Sequence, residues 1–213
     1  MNKKESLFNI LTIFDKINPN PRTELMYKDE YQLTVAVILS AQCTDKRVNI
    51  ITKNFFKKFP DFKTLSSANI DEIFELIKSC SYPNNKAKYL KSLADELVDK
   101  YNGILPDNYE KLLTLSGIGP KTAKVILNVL YDAPTIPVDT HVRRVATRLG
   151  FAKEKDTPLK IEKILLELAP SEYVNRIHHW FILHGRYVCT AKSPKCINCP
   201  ISKYCDYFIK NFS

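Results

Sequence analysis

The 213-residue sequence lacks any apolar run of the roughly 18 residues that a membrane span requires. Its first segment, MNKKESLFNILTIFDK, carries Leu7, Ile10, Leu11 and Phe14 at helical spacing, and acidic residues interrupt any apolar block. The segment therefore predicts an amphipathic helix and not a signal peptide. We expect a soluble, cytoplasmic protein.

The sequence also lacks segments with the alternating pattern of half-buried strands, because nearly every segment repeats its apolar residues with a period near 3.6. The run LTVAVILSAQ, from Leu33 to Gln42, is ambiguous, since its Val and Ile residues also suit a buried strand. Without a partner strand elsewhere, we interpret it as a buried helix and predict an all-α fold. No low-complexity linker or internal repeat marks a domain boundary, and the sharpest change in composition follows Val188.

Acidic residues are in the minority. Lys and Arg number 32 against 23 Asp and Glu, which gives a formal net charge of +9. Such an excess favours a polyanionic partner such as nucleic acid through long-range attraction. A solvated, soluble surface explains the same excess, so charge alone decides little.

Four of the six cysteines lie near the C-terminus with the spacing C-x6-C-x2-C-x5-C, and they are Cys189, Cys196, Cys199 and Cys205. Four thiolates this close in sequence predict one metal centre that stabilises a tail with little core of its own. The spacing alone fits either tetrahedral zinc or an iron–sulfur cluster. Cys43 and Cys80 each stand alone in a helical pattern.

The stretch LTLSGIGPKTAKVILNVLY places two glycines, a proline and a lysine at the break between two apolar helical patterns. Asp107, followed three residues later by Glu110, fits a capping box for the first helix, and Pro120 suits the first position of the second. Gly117 and Gly119 can adopt positive φ and leave backbone N–H groups open to a phosphate. The alternative is a tight turn whose glycines serve geometry only.

LSGIGPKTAKVIL resembles the helix-hairpin-helix of the endonuclease III family of DNA glycosylases, and VDTHVRRV resembles the catalytic segment that follows it. ILSAQCTD, HHWFILHGRYVC and the terminal cysteines resemble further motifs in the family's order. The resemblance implies a helical barrel domain over residues 23–133, with the hairpin near 108–131. It also implies a second helical domain, residues 1–22 and 134–213, that holds a [4Fe-4S] cluster on the four cysteines, with a catalytic cleft between the domains.

The resemblance places the nucleophile on Lys121 and the essential carboxylate on Asp139. A neutral amine can attack the sugar C1′, expel the base and form an imine, which no hydroxyl nucleophile can do. A helix N-terminus disfavours positive charge and so favours that neutral amine. The residues alone also allow a lysine that only contacts phosphate and an aspartate that only caps a helix.

Several DNA contacts follow from the same resemblance. Gln42 takes the family's plug position and Tyr82 lies near the position of an apolar wedge, although a helix-end polar residue and a turn aromatic are alternatives. The loop SYPNNKAK, Ser116 and Pro120 depart from the family's more usual leucine-bearing loop, proline and arginine. The remaining expected DNA contacts are Gly117, Ile118, Gly119, Thr122, Lys192 and Lys195.

The histidines suggest no second metal site. His178, His179 and His184 lie in an apolar helix, where satisfied core or surface histidines are the ordinary case. His141 lies two residues after Asp139 and is expected to support the site.

Together these features predict a monomeric base-excision repair enzyme that binds double-stranded DNA containing damaged bases or AP sites and associates with the nucleoid. We expect a glycosylase with AP lyase activity on oxidised pyrimidines. A monofunctional glycosylase that uses water and a non-catalytic, metal-stapled DNA-binding module are the alternatives. Lys121 argues against the first, and Lys121 together with Asp139 argues against the second.

Overall fold

The computed structural model describes residues 2–212, and within that range the chain forms twelve α-helices, two short 3-10 turns and no strand. The predicted all-α fold is confirmed. The chain divides into two compact units, which we call the hairpin unit (Glu24–Tyr131) and the cysteine unit (Met1–Thr23 with Asp132–Ser213). The domain bounds expected from the family pattern stay a prediction.

The hairpin unit contains seven helices. The segment from Leu33 onward is helical, as predicted, and its helix is buried on nearly every face, which explains why it lacks a clear apolar stripe. Phe55, Leu65 and Leu90 are among the fully buried side chains that fill the core around it. The helices are α2 (Glu30–Ser40), α3 (Asp45–Lys58), α4 (Phe62–Ser66), α5 (Ile70–Ile77), α6 (Pro83–Tyr101), α7 (Tyr109–Leu113) and α8 (Pro120–Tyr131).

Side-chain caps begin most of these helices. Thr44 caps α3, and Asp61 and Asn69 form capping boxes at α4 and α5. The prediction for α7 was wrong by one residue, because Asn108 and not Asp107 is the N-cap. The Asn108 Oδ1 accepts a hydrogen bond of 3.0 Å from the Lys111 N–H.

The cysteine unit contains the other five helices. Leu7, Ile10, Leu11 and Phe14 on its first helix are buried, as their spacing predicted, and pack with residues of the later helices in one apolar core. The Trp180 indole N–H donates to the Asn18 carbonyl at 2.8 Å, which fixes the chain just after that helix. The helices are α1 (Lys3–Ile17), α9 (Thr140–Arg148), α10 (Pro158–Leu168), α11 (Val174–Tyr187) and α12 (Asp206–Phe212).

No helix within residues 2–212 has both the length and the apolar character that crossing a bilayer requires.

Candidate active site and cysteine loop

The turn between α7 and α8 is held in place by two of its own residues. Gly117 has φ +78°, and a Cβ there would lie 2.9 Å from the Tyr89 Cβ, so no other residue fits without strain. Ile118 is buried, with 5% of its surface exposed. Its side chain therefore anchors the turn, and any DNA contact by Ile118 must come from its backbone.

Gly119 differs from Gly117. It is not among the glycines with positive φ, and a Cβ built on it would meet nothing within 4 Å. The packing of the chain therefore does not require glycine at this position. The absence of a side chain on Gly119 leaves open space beside the first turn of α8, where the N–H groups of Lys121 and Thr122 have no intrahelical acceptor. Such a helix start is suited to binding an anion.

Lys121 lies at the second position of α8 and is exposed. Its amine makes no hydrogen bond or ion pair with any described residue of the hairpin unit. Pro120 begins the helix, as predicted, so the lysine follows the glycine turn directly. This arrangement presents a free amine next to open backbone donors.

Glu96 fixes the same turn from α6, a role that the sequence did not reveal. Its carboxylate accepts hydrogen bonds from the Ser116 N–H at 2.8 Å and from the Ser116 hydroxyl at 2.7 Å. Serine can donate this second bond and proline can donate neither, so the departure from the family pattern at this position is compensated by Glu96.

Asp139 is the N-cap of α9, as the cap interpretation predicted. Its Oδ1 accepts hydrogen bonds from the His141 and Val142 N–H groups, each at 2.8 Å. The carboxylate is half-buried and its orientation is fixed by these two bonds. The capping role is compatible with a chemical role, because both bonds use Oδ1 and the second carboxylate oxygen stays available to react.

His141 and Arg144 surround the start of α9. The Arg144 guanidinium lies 3.1 Å from His141 Nδ1 and donates to the Gly185 carbonyl at 2.8 Å. Burial lowers the pKa of His141, and the Arg144 and Arg186 charges lower it further, while Asp139 raises it. A Cβ on Gly185 would lie 3.0 Å from the His141 Cβ, so glycine allows α9 and α11 to approach closely.

The two residues expected to probe the DNA stack lie on neighbouring loops of the hairpin unit. Gln42 follows α2 and Tyr82 precedes α6, and both have positive φ, at +54° and +56°. The Ser81 hydroxyl donates to the Gln42 carbonyl at 2.5 Å, which joins the loops. Both side chains are exposed, as a contact with DNA requires.

The interpretation of Cys43 and Cys80 as isolated helical residues was wrong. Both lie in the turns that follow α2 and α5, and the Cys80 thiol donates to the Leu39 carbonyl at 3.2 Å. Beside them Lys86 is 4% exposed and donates to the carbonyls of Leu39 and Ala41 at 2.8 and 2.7 Å. The apolar stripe of α6 contained the signal for this buried lysine, because Lys86 precedes Leu90 by one helical turn.

All four C-terminal cysteines line one cavity together with apolar side chains that include Val145, Leu149 and Phe208. Burial raises the pKa of Cys199 to about 11, and it also raises those of Cys196 and Cys205, with the neighbouring thiols adding to each shift. The cavity thus disfavours free thiolates, and a metal centre supplies the positive charge that stabilises them.

The four thiols line a cavity and do not converge on a single ion position. Among residues 2–212, no three metal-binding side chains are grouped closely enough to hold one ion. A four-iron cluster takes four cysteine ligands around it, so the arrangement fits such a group. The expected phosphate contacts Lys192 and Lys195 are exposed between the first two cysteines.

Arg148 binds the start of the cysteine loop, the segment 189–205 that carries the four cysteines, and the sequence did not reveal this role. Its guanidinium donates to the carbonyls of Thr190 and Ala191 at 2.7 and 3.0 Å and to the Cys189 sulfur at 3.3 Å. Arg144, one turn earlier on α9, donates to the Cys189 carbonyl at 3.0 Å. The i, i+4 spacing of these arginines was the available signal. The helix that Asp139 caps therefore also holds the loop.

The histidines of α11 are core residues, which is one of the two environments expected for them. His178 Nδ1 lies 2.6 Å from the Pro137 carbonyl oxygen. Burial lowers the pKa of both His179 and His184 to about 4, so both are neutral near neutral pH.

Comparisons with known proteins agree with these features. Residues 35–171 match the family model of HhH-GPD superfamily base excision DNA repair proteins, and residues 189–205 match the iron-sulfur binding domain of endonuclease III. The chain is 46% identical to endonuclease III of Rickettsia conorii over 93% of this chain and 94% of that protein. It is 42% identical to endonuclease III of Haemophilus influenzae over 97% of each chain.

Solved structures extend the likeness to the backbone. The structure of a trapped endonuclease III–DNA covalent intermediate matches with a TM-score of 0.93 and 38% identity over the whole of both chains. A thermostable thymine-DNA glycosylase matches with a TM-score of 0.85 at 23% identity, which supports the fold alone. The chain belongs to the endonuclease III family of HhH-GPD base excision DNA repair proteins, and it carries that family's iron–sulfur domain.

Proposed function

We propose that this protein is a base-excision repair enzyme, a DNA glycosylase with AP lyase activity that removes oxidised pyrimidines through an imine formed on Lys121. One observation carries the proposal: an exposed amine without a partner in its own unit follows a glycine turn with open backbone donors. A relative with 38% identity was trapped as a covalent intermediate with DNA, which supports covalent chemistry in this family.

The neutral Lys121 amine attacks C1′ of the damaged nucleotide, and the bond from C1′ to the base breaks as the base leaves with its electron pair. Loss of a proton from nitrogen and opening of the sugar ring give the imine. The imine then acts as an electron sink, so the C2′ proton is removed and the 3′ phosphate departs by β-elimination. Water finally releases the lysine.

Asp139 is the proposed carboxylate partner in this reaction. Positive charge develops at C1′ as the base departs, and a fixed anion stabilises it. The two backbone bonds to Oδ1 hold the carboxylate in one orientation, so little reorganisation is needed when the charge develops. The same group can take a proton from the attacking amine.

The hairpin binds the DNA backbone in this proposal. The N–H groups at the start of α8 bind a phosphate, with Gly119 leaving room for its approach and Thr122 lying one position beyond the nucleophile. Extrusion of the lesion costs a few kcal/mol. Gln42 and Tyr82, which are exposed on adjoining loops, are the proposed residues that fill the gap in the stack.

The family's iron–sulfur domain implies a [4Fe-4S] cluster, and we propose Cys189, Cys196, Cys199 and Cys205 as its ligands. The cluster supplies structural cross-linking when it is bound and takes no part in bond breaking. Lys192 and Lys195, in the loop that the cluster and Arg148 fix, are proposed to contact phosphates.

Because the proposed substrate is chromosomal DNA, we propose that the enzyme works inside the cell, in association with the nucleoid. The test of the function is strand cleavage of a duplex that carries one oxidised pyrimidine, without alkali treatment. We expect base release and a nick together. Base release with a nick only after alkali treatment would favour the monofunctional alternative, and binding without either product would favour a non-catalytic module.

A further inference from the structure

Lys86 is a buried cation near the start of α6, and the proposed repair chemistry does not use it. Its ammonium donates to the Leu39 and Ala41 carbonyls at 2.8 and 2.7 Å and to the Cys80 sulfur at 3.2 Å. An ammonium has three donors, and these three neutral acceptors satisfy all of them. A buried charge is costly unless its donors are satisfied, so the ammonium and its acceptors hold each other in one arrangement.

The ammonium lies at the C-terminal end of α2. The last four carbonyls of an α-helix lack intrahelical donors, and together they give that end a partial negative charge. The Leu39 carbonyl is one of these four, and it accepts hydrogen bonds from Lys86 and from the Cys80 thiol, the latter at 3.2 Å. A cation is favoured at this place, and it connects the end of α2 to α6.

The conformation of Gln42 is held from both sides. Its φ of +54° lies in the left-handed region, which is unfavourable for a residue other than glycine. Lys86 binds the Ala41 carbonyl, in the peptide group before Gln42, and the Ser81 hydroxyl binds the Gln42 carbonyl, in the peptide group after it, at 2.5 Å. Because the two peptide groups that flank a residue define its φ and ψ, these bonds stabilise the left-handed conformation.

The backbone of Lys86 holds the second loop. Its N–H donates to the Tyr82 carbonyl at 3.1 Å and closes the first turn of α6. Tyr82 also has a left-handed conformation, with φ +56°, and its side chain makes no cap bond. Lys86 therefore binds the segment before Gln42 through its side chain and binds Tyr82 through its backbone. A change of the side chain removes only the first of these contacts.

We propose that Lys86 is a positioning residue for lesion recognition, whose buried ammonium fixes the peptide group before Gln42 and so orders the Gln42 side chain before DNA binds. Lys86 does not contact the DNA itself, because it is buried. The inference rests on the proposed function, in which Gln42 fills the gap left by the extruded nucleotide. A side chain that is ordered in advance avoids the entropic cost of ordering on the DNA.

A purely structural role predicts a different result when Gln42 is removed. If Lys86 acts through Gln42, its substitution has no further effect on excision once the Gln42 side chain is absent. If Lys86 only stabilises the fold, its substitution lowers activity by the same factor whether or not that side chain is present. A double-mutant cycle measures this difference directly.

The cycle uses single-turnover base excision from a duplex with one oxidised pyrimidine by the cluster-loaded protein. Methionine has a similar length to lysine and no donor. We expect Lys86→Met to slow excision about tenfold in the wild-type background and less than about twofold in the Gln42→Ala background. Lys100→Met, which removes an exposed lysine at the other end of α6, should keep the wild-type rate. Equal losses in both backgrounds, or no loss in either, would overturn the proposal.

A second variant decides the question if Lys86→Met does not fold, which loss of the cooperative melting transition would show. Lys86→Arg keeps the charge, but a planar guanidinium cannot place its donors on the same three acceptors. We expect Lys86→Arg to slow excision about threefold, again only when Gln42 is present. A loss that persists in the Gln42→Ala background would contradict the positioning role.

Failures of the underlying function appear separately. Wild type that releases no base from the lesion duplex would contradict the proposed enzyme activity. Gln42→Ala that excises at the wild-type rate would contradict the gap-filling role of Gln42, and with it the role of Lys86.

Discussion

The Glu96 carboxylate accepts hydrogen bonds from both the N–H and the hydroxyl of Ser116, at 2.8 and 2.7 Å. These bonds connect α6 to the turn that precedes Lys121. Bonds to a charged acceptor are among the stronger ones, contributing roughly 1.5–3 kcal/mol each when they are well made. The position of Lys121, the proposed nucleophile, thus depends on a residue that lies twenty-five positions before it in sequence.

We expect Glu96→Ala to lower the free energy of unfolding by about 1–3 kcal/mol and to weaken DNA binding several-fold, because the Ser116 N–H loses its acceptor. Thermal melting and binding to a duplex with an AP-site analogue measure the two effects. Asp99→Ala is the matched control, an exposed acidic residue on the same helix. Equal behaviour of the two variants would contradict the role of Glu96.

Two substitutions separate the chemistry of Asp139 from its capping role. Asn is as good an N-cap as Asp, so Asp139→Asn should melt close to wild type while base excision falls at least about a hundredfold. Asp139→Ala should lose both activity and about 0.5–2 kcal/mol of stability. If Asp139→Asn kept its activity, the chemical role of Asp139 would be contradicted and only its capping role would remain.

Arg148 should control retention of the cluster. Its three bonds to residues 189–191 hold the beginning of the cysteine loop, so Arg148→Gln should lose the visible absorption of the cluster to a chelator faster than wild type. Arg143→Gln is the control, since Arg143 lies on the same helix but donates to the Glu154 carbonyl. Equal rates of loss in both variants would argue against the role of Arg148.

Protonation of His179 makes the free energy of unfolding depend on pH. Burial lowers its pKa from 6.5 to about 4, so the unfolded chain binds the proton more readily. The associated stability is complete above pH 6.5 and is lost as pH falls toward 4, by up to roughly 3 kcal/mol. Melting curves between pH 7 and pH 4.5 should show a smaller decrease for His179→Gln. An identical pH dependence would contradict this assignment.

Local patterns predicted the helices well. Apolar spacing identified α1, and the pairing of glycine and proline placed the start of α8, because both signals act within one or two helical turns. The predicted N-cap of α7 was wrong by one residue, because Asp107 and Asn108 are both good N-cap residues and the sequence does not distinguish them.

Contacts between distant segments were not predictable. The bonds of Lys86 to the carbonyls of Leu39 and Ala41 depend on how α2 and α6 pack, and the bonds of Arg148 depend on the path of the chain after α11. Local patterns single out Arg148, by its i, i+4 relation to Arg144, and Lys86, by the apolar stripe of α6, but they do not show which distant segment either residue binds. The proposed reacting residues, Lys121 and Asp139, were identified through a family motif, which combines information from many sequences.

The most direct test of the account is reductive trapping on a duplex with one oxidised pyrimidine. Borohydride reduces an imine to a stable amine, so wild type should give a covalent protein–DNA band on a denaturing gel. Lys124→Gln, which changes another lysine of α8, should give the same band, and Lys121→Gln should give none while still binding the duplex. A band that persists in Lys121→Gln, or base release by wild type without any band, would contradict the assignment of Lys121 as nucleophile.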